Sequence, residues 1–61
     1  MCGDYEAGYS TATREAFGLS VGELRALVAY MREYLDGGNR HARAYAAGAI
    51  DGLLRVLGPY A

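Results

Sequence analysis

Two helix-forming stretches, residues 20–36 and 40–57, are separated by only Gly37-Gly38-Asn39. A link that short holds two helices side by side and antiparallel, so each must bury its apolar face against the other. Every other expectation about this chain is conditioned by that pair.

The first stretch reads SVGELRALVAYMREYLD. Ser20 is a good N-cap, and Glu23 three residues on completes the capping-box spacing. Leu19 and Leu24 flank the cap as a hydrophobic staple. At about 100° per residue, Val21, Leu24, Leu27, Val28, Met31, Tyr34 and Leu35 gather on one side, with Tyr30 at its edge. Arg25, Arg32, Glu33 and Asp36 fall opposite, where Arg32 and Asp36 stand i,i+4. Gly37 and Gly38 end the helix.

The second stretch has Asn39 as N-cap and Gly58-Pro59 as its stop. Its apolar side holds Ala42, Tyr45, Ala46, Ala49, Ile50, Leu53, Val56 and Leu57. Arg40, Asp51 and Arg55 lie opposite, with Asp51 and Arg55 spaced for an i,i+4 pair. Gly48 and Gly52 each cost about 1 kcal/mol against Ala in a helix interior. With Ala44 they form a ladder of small residues, which lets another helix backbone approach closely. Composition alone also generates such ladders, because the chain has eleven Ala and nine Gly.

Ahead of this pair, residues 11–17 (TATREAF) read as a short helix capped by Ser10 or Thr11 and ended by Gly18. Tyr5, Tyr9, Ala12 and Ala16 share helical spacing and would extend it. Gly3, Gly8 and the run of Ser and Thr at 10–13 argue against the longer version. Residues 1–19 are therefore read as an N-terminal arm or short helix, and residues 58–61 as a tail on a single domain.

A helix with one neighbour needs an apolar stripe of about 100°, whereas these stripes span about 180° and 160° on the helical wheel. A bare hairpin of this size cannot cover both. The N-terminal segment supplies part of the cover, with Tyr9 and Phe17 as its bulky groups. The expected fold is all-α: an antiparallel αα-hairpin completed by a second copy as a two-fold, four-helix-type bundle. The packing residues are Leu24, Leu27, Val28, Met31, Leu35, Gly48, Ile50, Gly52, Leu53 and Leu57.

With 61 residues and a formal charge of −1, the chain is too small for a dinucleotide-binding sheet or a barrel. It also lacks the basic character of a general polyanion binder. Six Arg and no Lys remove Schiff-base and P-loop chemistry; together with the Ala and Gly content they suggest a GC-rich bacterium or its phage. A lone Cys2 forms no internal disulfide and reads as an incidental thiol in a reducing cytoplasm. No secretory signal or bilayer-length apolar run is visible. His41 and Cys2 are too few for a metal site, so no metal or cofactor is expected. Glu23 is occupied by capping, and Glu33, Asp36 and Asp51 lie on solvated faces. No nucleophile, base and orienting acid share a usable spacing, so an enzyme is not expected.

Two groups of residues stand out as candidate sites. Arg40, His41 and Arg43 open the second helix, where the dipole disfavours cations and free N–H groups favour an anion. They would hold a phosphate or a partner's carboxylate, or simply form a solvated turn with Arg paired to Asp36. The same residues could face a DNA major groove, although few other cations are present to hold the backbone. Tyr30 and Tyr34 share a flank of the first helix and would edge a protein-binding groove or border a dimer core. Tyr5, Tyr9 and Tyr60 would clasp the hairpin or project to a partner. The favoured function is a helical protein–protein interaction module working as a homodimer. A nucleic-acid-binding regulator and a structural subunit of a larger particle are the alternatives.

Overall fold

A computed structural model describes residues 3–61; Cys2 lies outside them. Three helices follow one another, α1 (Asp4–Glu15), α2 (Val21–Gly37) and α3 (Arg40–Leu57), and a 3₁₀ turn spans Gly58–Tyr60. The caps are those the sequence calls for. The Glu23 N–H donates to Ser20 Oγ at 3.1 Å, and the Ser20 N–H donates to the Glu23 carboxylate at 2.8 Å. That backbone donor, seconded by the Ser20 hydroxyl, holds the Glu23 carboxyl below its usual pKa. Asn39 Oδ1 accepts the Ala42 N–H at 2.8 Å and starts α3.

The turn between α2 and α3 needs glycine for a reason other than left-handed backbone. Gly38 is extended, with φ −82° and ψ 169°. A Cβ there would stand 2.5 Å from the Tyr34 carbonyl oxygen and 2.9 Å from the Ala42 methyl. Close approach selects the residue.

Helix α1 corrects the sequence-based expectation, starting at Asp4 rather than near Thr11. Three effects support the longer helix. Asp4 and Glu6 sit in the first turn, where the dipole favours acids. The Thr13 hydroxyl donates to the Tyr9 and Ser10 carbonyls, so it is satisfied inside the helix and does not compete with it. Gly8 belongs to a packing seam. A Cβ on Gly8 would lie 2.0 Å from the Tyr45 carbonyl oxygen, and one on Gly48 would lie 1.9 Å from the Tyr5 carbonyl oxygen. The small-residue ladder of α3 therefore receives α1 of the same chain.

Helix α3 is the central element, with α1 and α2 both packed on it. The core comprises Leu24 and Val28 of α2, Ile50, Leu53 and Leu57 of α3, and the alanines 12, 16, 46 and 49. Leu27 and Met31 are half-buried against it. Leu35, expected among the packing residues, is 39% exposed. Near it α3 is only beginning, and its first turn offers arginine, histidine and a single alanine. Phe17 is the larger departure: instead of covering the hairpin it is 87% exposed. The Arg32–Asp36 and Asp51–Arg55 pairs do not form; among the described residues the one such contact is the hydrogen bond that joins His41 to Asp4. At the opposite end, Arg25 donates from Nε and Nη2 to the Tyr60 carbonyl, at 3.1 and 2.7 Å, and fastens the C-terminal turn to α2.

The seam between α1 and α3 makes a direct prediction. Gly8→Ala or Gly48→Ala forces a methyl into the facing carbonyl and should cost about 1–3 kcal/mol. Thermal circular dichroism would show this as a lower Tm, at about 4–8 °C per kcal/mol for a domain near this size. The double variant should lose less than the two single losses combined, because both methyls push the same helices apart. Gly22→Ala is the control: only Ser20 Oγ lies within reach, at 3.9 Å, so it should be neutral or stabilising by up to about 1 kcal/mol.

Candidate functional site

Tyr30 and Tyr34 lie one turn apart on α2, and their hydroxyls share a hydrogen bond of 3.0 Å. Their ring centroids are 5.3 Å apart with planes at 78°, an edge-to-face pair. Both rings remain exposed, at 50% and 43%. With Met31, and with Ala42, Tyr45 and Ala46 of α3, they line an open cleft of about 330 Å³. The cause lies in the facing side chains. Ala42 and Ala46 are too short to fill the space beside the tyrosine rings, whereas further along α3 Leu53 and Leu57 are buried in the core. The seam between α2 and α3 is thus open beside the two tyrosines.

Outside the phenols the cleft is apolar. The hydrogen bond shared with Tyr34 pushes the Tyr30 phenol above its ordinary pKa, helped by the charge on Tyr34, by burial and by Glu33. Glu33 lies on the far side of the same two rings, beside Gly37 and Gly38. Tyr45 and Met31 also border a narrow recess between α1 and α2, together with Thr11, Glu15 and Leu27.

Arg40, His41 and Arg43 are all exposed, and none of them lines the tyrosine cleft. The cationic turn and the tyrosine pair are therefore two places, not one patch. His41 Nδ1 lies 2.7 Å from the Asp4 carboxylate at the start of α1. Asp4 supplies beside this helix start the negative charge that the first turn of α3 lacks in its own sequence. Arg40 and Arg43 form no ion pair among the described residues, with Asp36 or any other acid.

The remaining tyrosines act unequally. The Tyr5 hydroxyl donates to the Asp51 carboxylate on α3 and so clasps α1 to it. That bond, then burial and the Asp51 charge, raise the Tyr5 pKa. Tyr9 is half-buried, and its carbonyl faces Gly52. The Tyr60 ring is 61% exposed.

Tyr30 and Tyr34 were legible as a flank, but the α3 wall of the cleft was not. The available signal was the alanine on either side of Tyr45, at 42 and 46, facing bulky positions of α2. Among the described residues no group of three or more His, Cys, Asp or Glu could hold a metal ion. Among the described residues no helix is long and apolar enough to cross a membrane. No protein family, curated protein or solved structure matches this chain.

Alkaline titration followed by phenolate absorbance should resolve two tyrosines, Tyr5 and Tyr30, ionising above the ordinary value of about 10. Both bonds then contribute to stability below that pH and are lost as pH rises through the raised pKa values. Tyr34→Phe should return Tyr30 toward the ordinary range, and Asp51→Asn should do the same for Tyr5. A wild-type titration in which all tyrosines ionise together in the ordinary range would contradict this assignment.

Proposed function

We propose that the protein is a small helical protein–protein interaction module, an accessory, modulator or assembly factor that acts as a homodimer. The observation that carries this reading is the aromatic cleft at the α2–α3 seam, which is open and apolar. Tyrosine rings present large rigid contact area at low entropic cost and keep a hydroxyl for a partner or water. An open cleft of this size suits one or two side chains of a protein better than an enclosed small molecule.

In this reading α2 and α3 form an antiparallel hairpin, and a second copy completes a four-helix-type bundle flanked by the two α1 helices. Helix α1 already covers the glycine flank of α3, so the wide stripe of α2 is the surface left for the second copy. Arg40 and Arg43 stand apart from the cleft, and their exposed charges favour an acidic partner. We read the lysine-free composition as that of a GC-rich bacterium or its phage, with the cytoplasm as the working compartment.

Sedimentation equilibrium of the full chain, with circular dichroism alongside, tests the proposal. Self-association is expected at micromolar protein, weakened at least about tenfold by Tyr30→Ser with Tyr34→Ser while the helix content is retained. A folded, helical monomer throughout that range would overturn it. Salt-sensitive binding to DNA or RNA, lost on Arg40→Ala with Arg43→Ala, would favour a nucleic-acid-binding regulator instead.

A further inference from the structure

Tyr30 and Tyr34 stand between two spaces, and both rings line both of them. One is the apolar cleft described above. The other is an open recess of about 390 Å³ on the far side of the rings, completed by Glu33, Gly37 and Gly38. All five residues belong to α2 or its C-cap, so no part of this recess is built from α3.

Three independent features of the recess favour positive charge. The two rings, at 78° with centroids 5.3 Å apart, form a corner of electron-rich faces, and a ring face attracts a cation through its quadrupole. Glu33 is exposed and enters no ion pair among the described residues. The recess lies at the negative end of the α2 dipole, where the last turn carries Asp36 and no basic residue. The arginines of the chain do not answer this charge. Arg32 lines a separate groove with Arg25, Val28 and Leu54. Among the described residues Arg40 and Arg43 neither line the recess nor form an ion pair.

Exposure and hydrogen bonding choose among cations. Both rings are half-exposed, which leaves the recess too wet to strip a strongly hydrated lysine ammonium. A guanidinium is more weakly hydrated, stacks on an aromatic face and forks onto a carboxylate. The recess is also rich in acceptors: the Glu33 carboxylate and the oxygens of two phenols with one hydrogen bond between them. We propose that the recess of Tyr30, Glu33 and Tyr34 binds an arginine side chain of a partner protein, its guanidinium in the ring corner and its N–H groups on Glu33. This rests on the interaction-module reading for the partner being a protein, and does not need the homodimer. It adds a basic group to the acidic chemistry read at Arg40 and Arg43.

The test is an NMR titration of the full chain with the peptide Gly-Ser-Arg-Ser-Gly, against the same peptide carrying lysine or citrulline at its centre. The arginine peptide should move the Tyr30 and Tyr34 ring signals together with the Glu33, Gly37 and Gly38 amides. It should bind at least about fivefold tighter than the lysine peptide. Citrulline keeps nearly the same shape without the charge and should leave these signals still. Glu33→Gln and Tyr34→Leu should each weaken binding at least about fivefold with the circular dichroism unaltered, whereas Tyr34→Phe keeps the ring and should retain most of it. Equal binding of the lysine or citrulline peptide overturns the assignment, as does the absence of any shift at millimolar peptide. Shifts confined to Met31, Tyr45 and Ala46 would place the peptide in the apolar cleft and overturn it too. Recess signals that move on dilution of the chain alone, and stop moving in Arg40→Ala with Arg43→Ala, would give the recess to a second copy and overturn a separate partner. A chain that self-associates but ignores the arginine peptide ends this inference and leaves the interaction-module reading standing. A chain that binds the peptide and stays monomeric upholds the recess and removes the homodimer.

Discussion

Helices α1 and α3 meet backbone to backbone, with Gly8 under the Tyr45 carbonyl and Gly48 under the Tyr5 carbonyl. The rest of the structure depends on that approach. Helix α3 can carry a helix on either side only because one flank is stripped to glycine and alanine and the other bears Ile50, Leu53 and Leu57. Leu53 is the largest fully buried side chain. In a chain of 61 residues the core is necessarily small, and such domains are marginal unless each device contributes. Here the devices are the Ser20–Glu23 box, the Asn39 cap, the Tyr5–Asp51 clasp and the Arg25–Tyr60 fastening.

The aromatic cleft follows from the same economy of side-chain size. An alanine-rich α3 leaves space at Ala42 and Ala46 where the rings of Tyr30 and Tyr34 stand away from it. The two rings brace each other instead, through their shared hydroxyl bond and edge-to-face geometry. The cationic turn is a separate matter. Once Asp4 meets His41, one of its three side chains is engaged within the chain and the two arginines remain exposed.

Much of α2 and α3 was legible from residue order. Their caps, stops and apolar sides depend on neighbours one to four positions apart, and these interactions survive any tertiary arrangement. Gly8 shows where such reasoning stops. By propensity it breaks a helix, and together with the Ser and Thr that follow it argues for a shorter α1. Its worth is set by what faces it, a carbonyl nearly forty residues away. Phe17 shows the converse: hydrophobicity assigned it to cover the hairpin, but a tight turn beside the buried Ala16 directs it outward. The site was legible in part, since i,i+4 spacing paired the two tyrosines, while the α3 side of the cleft needed the register between the helices.

By itself the sequence determined the extents, caps and amphipathic faces of the two long helices, because hydrogen bonding and side-chain periodicity within a helix are local. It also determined that a ladder of small residues would be available to a close neighbour. Only the tertiary structure decided that the neighbour is α1, that Asp4 stands beside the α3 start, and that the α2–α3 seam stays open at the tyrosines. Those outcomes rest on steric fit between segments far apart in the chain. A missing Cβ invites any backbone of the right shape, and residue order does not say which one arrives.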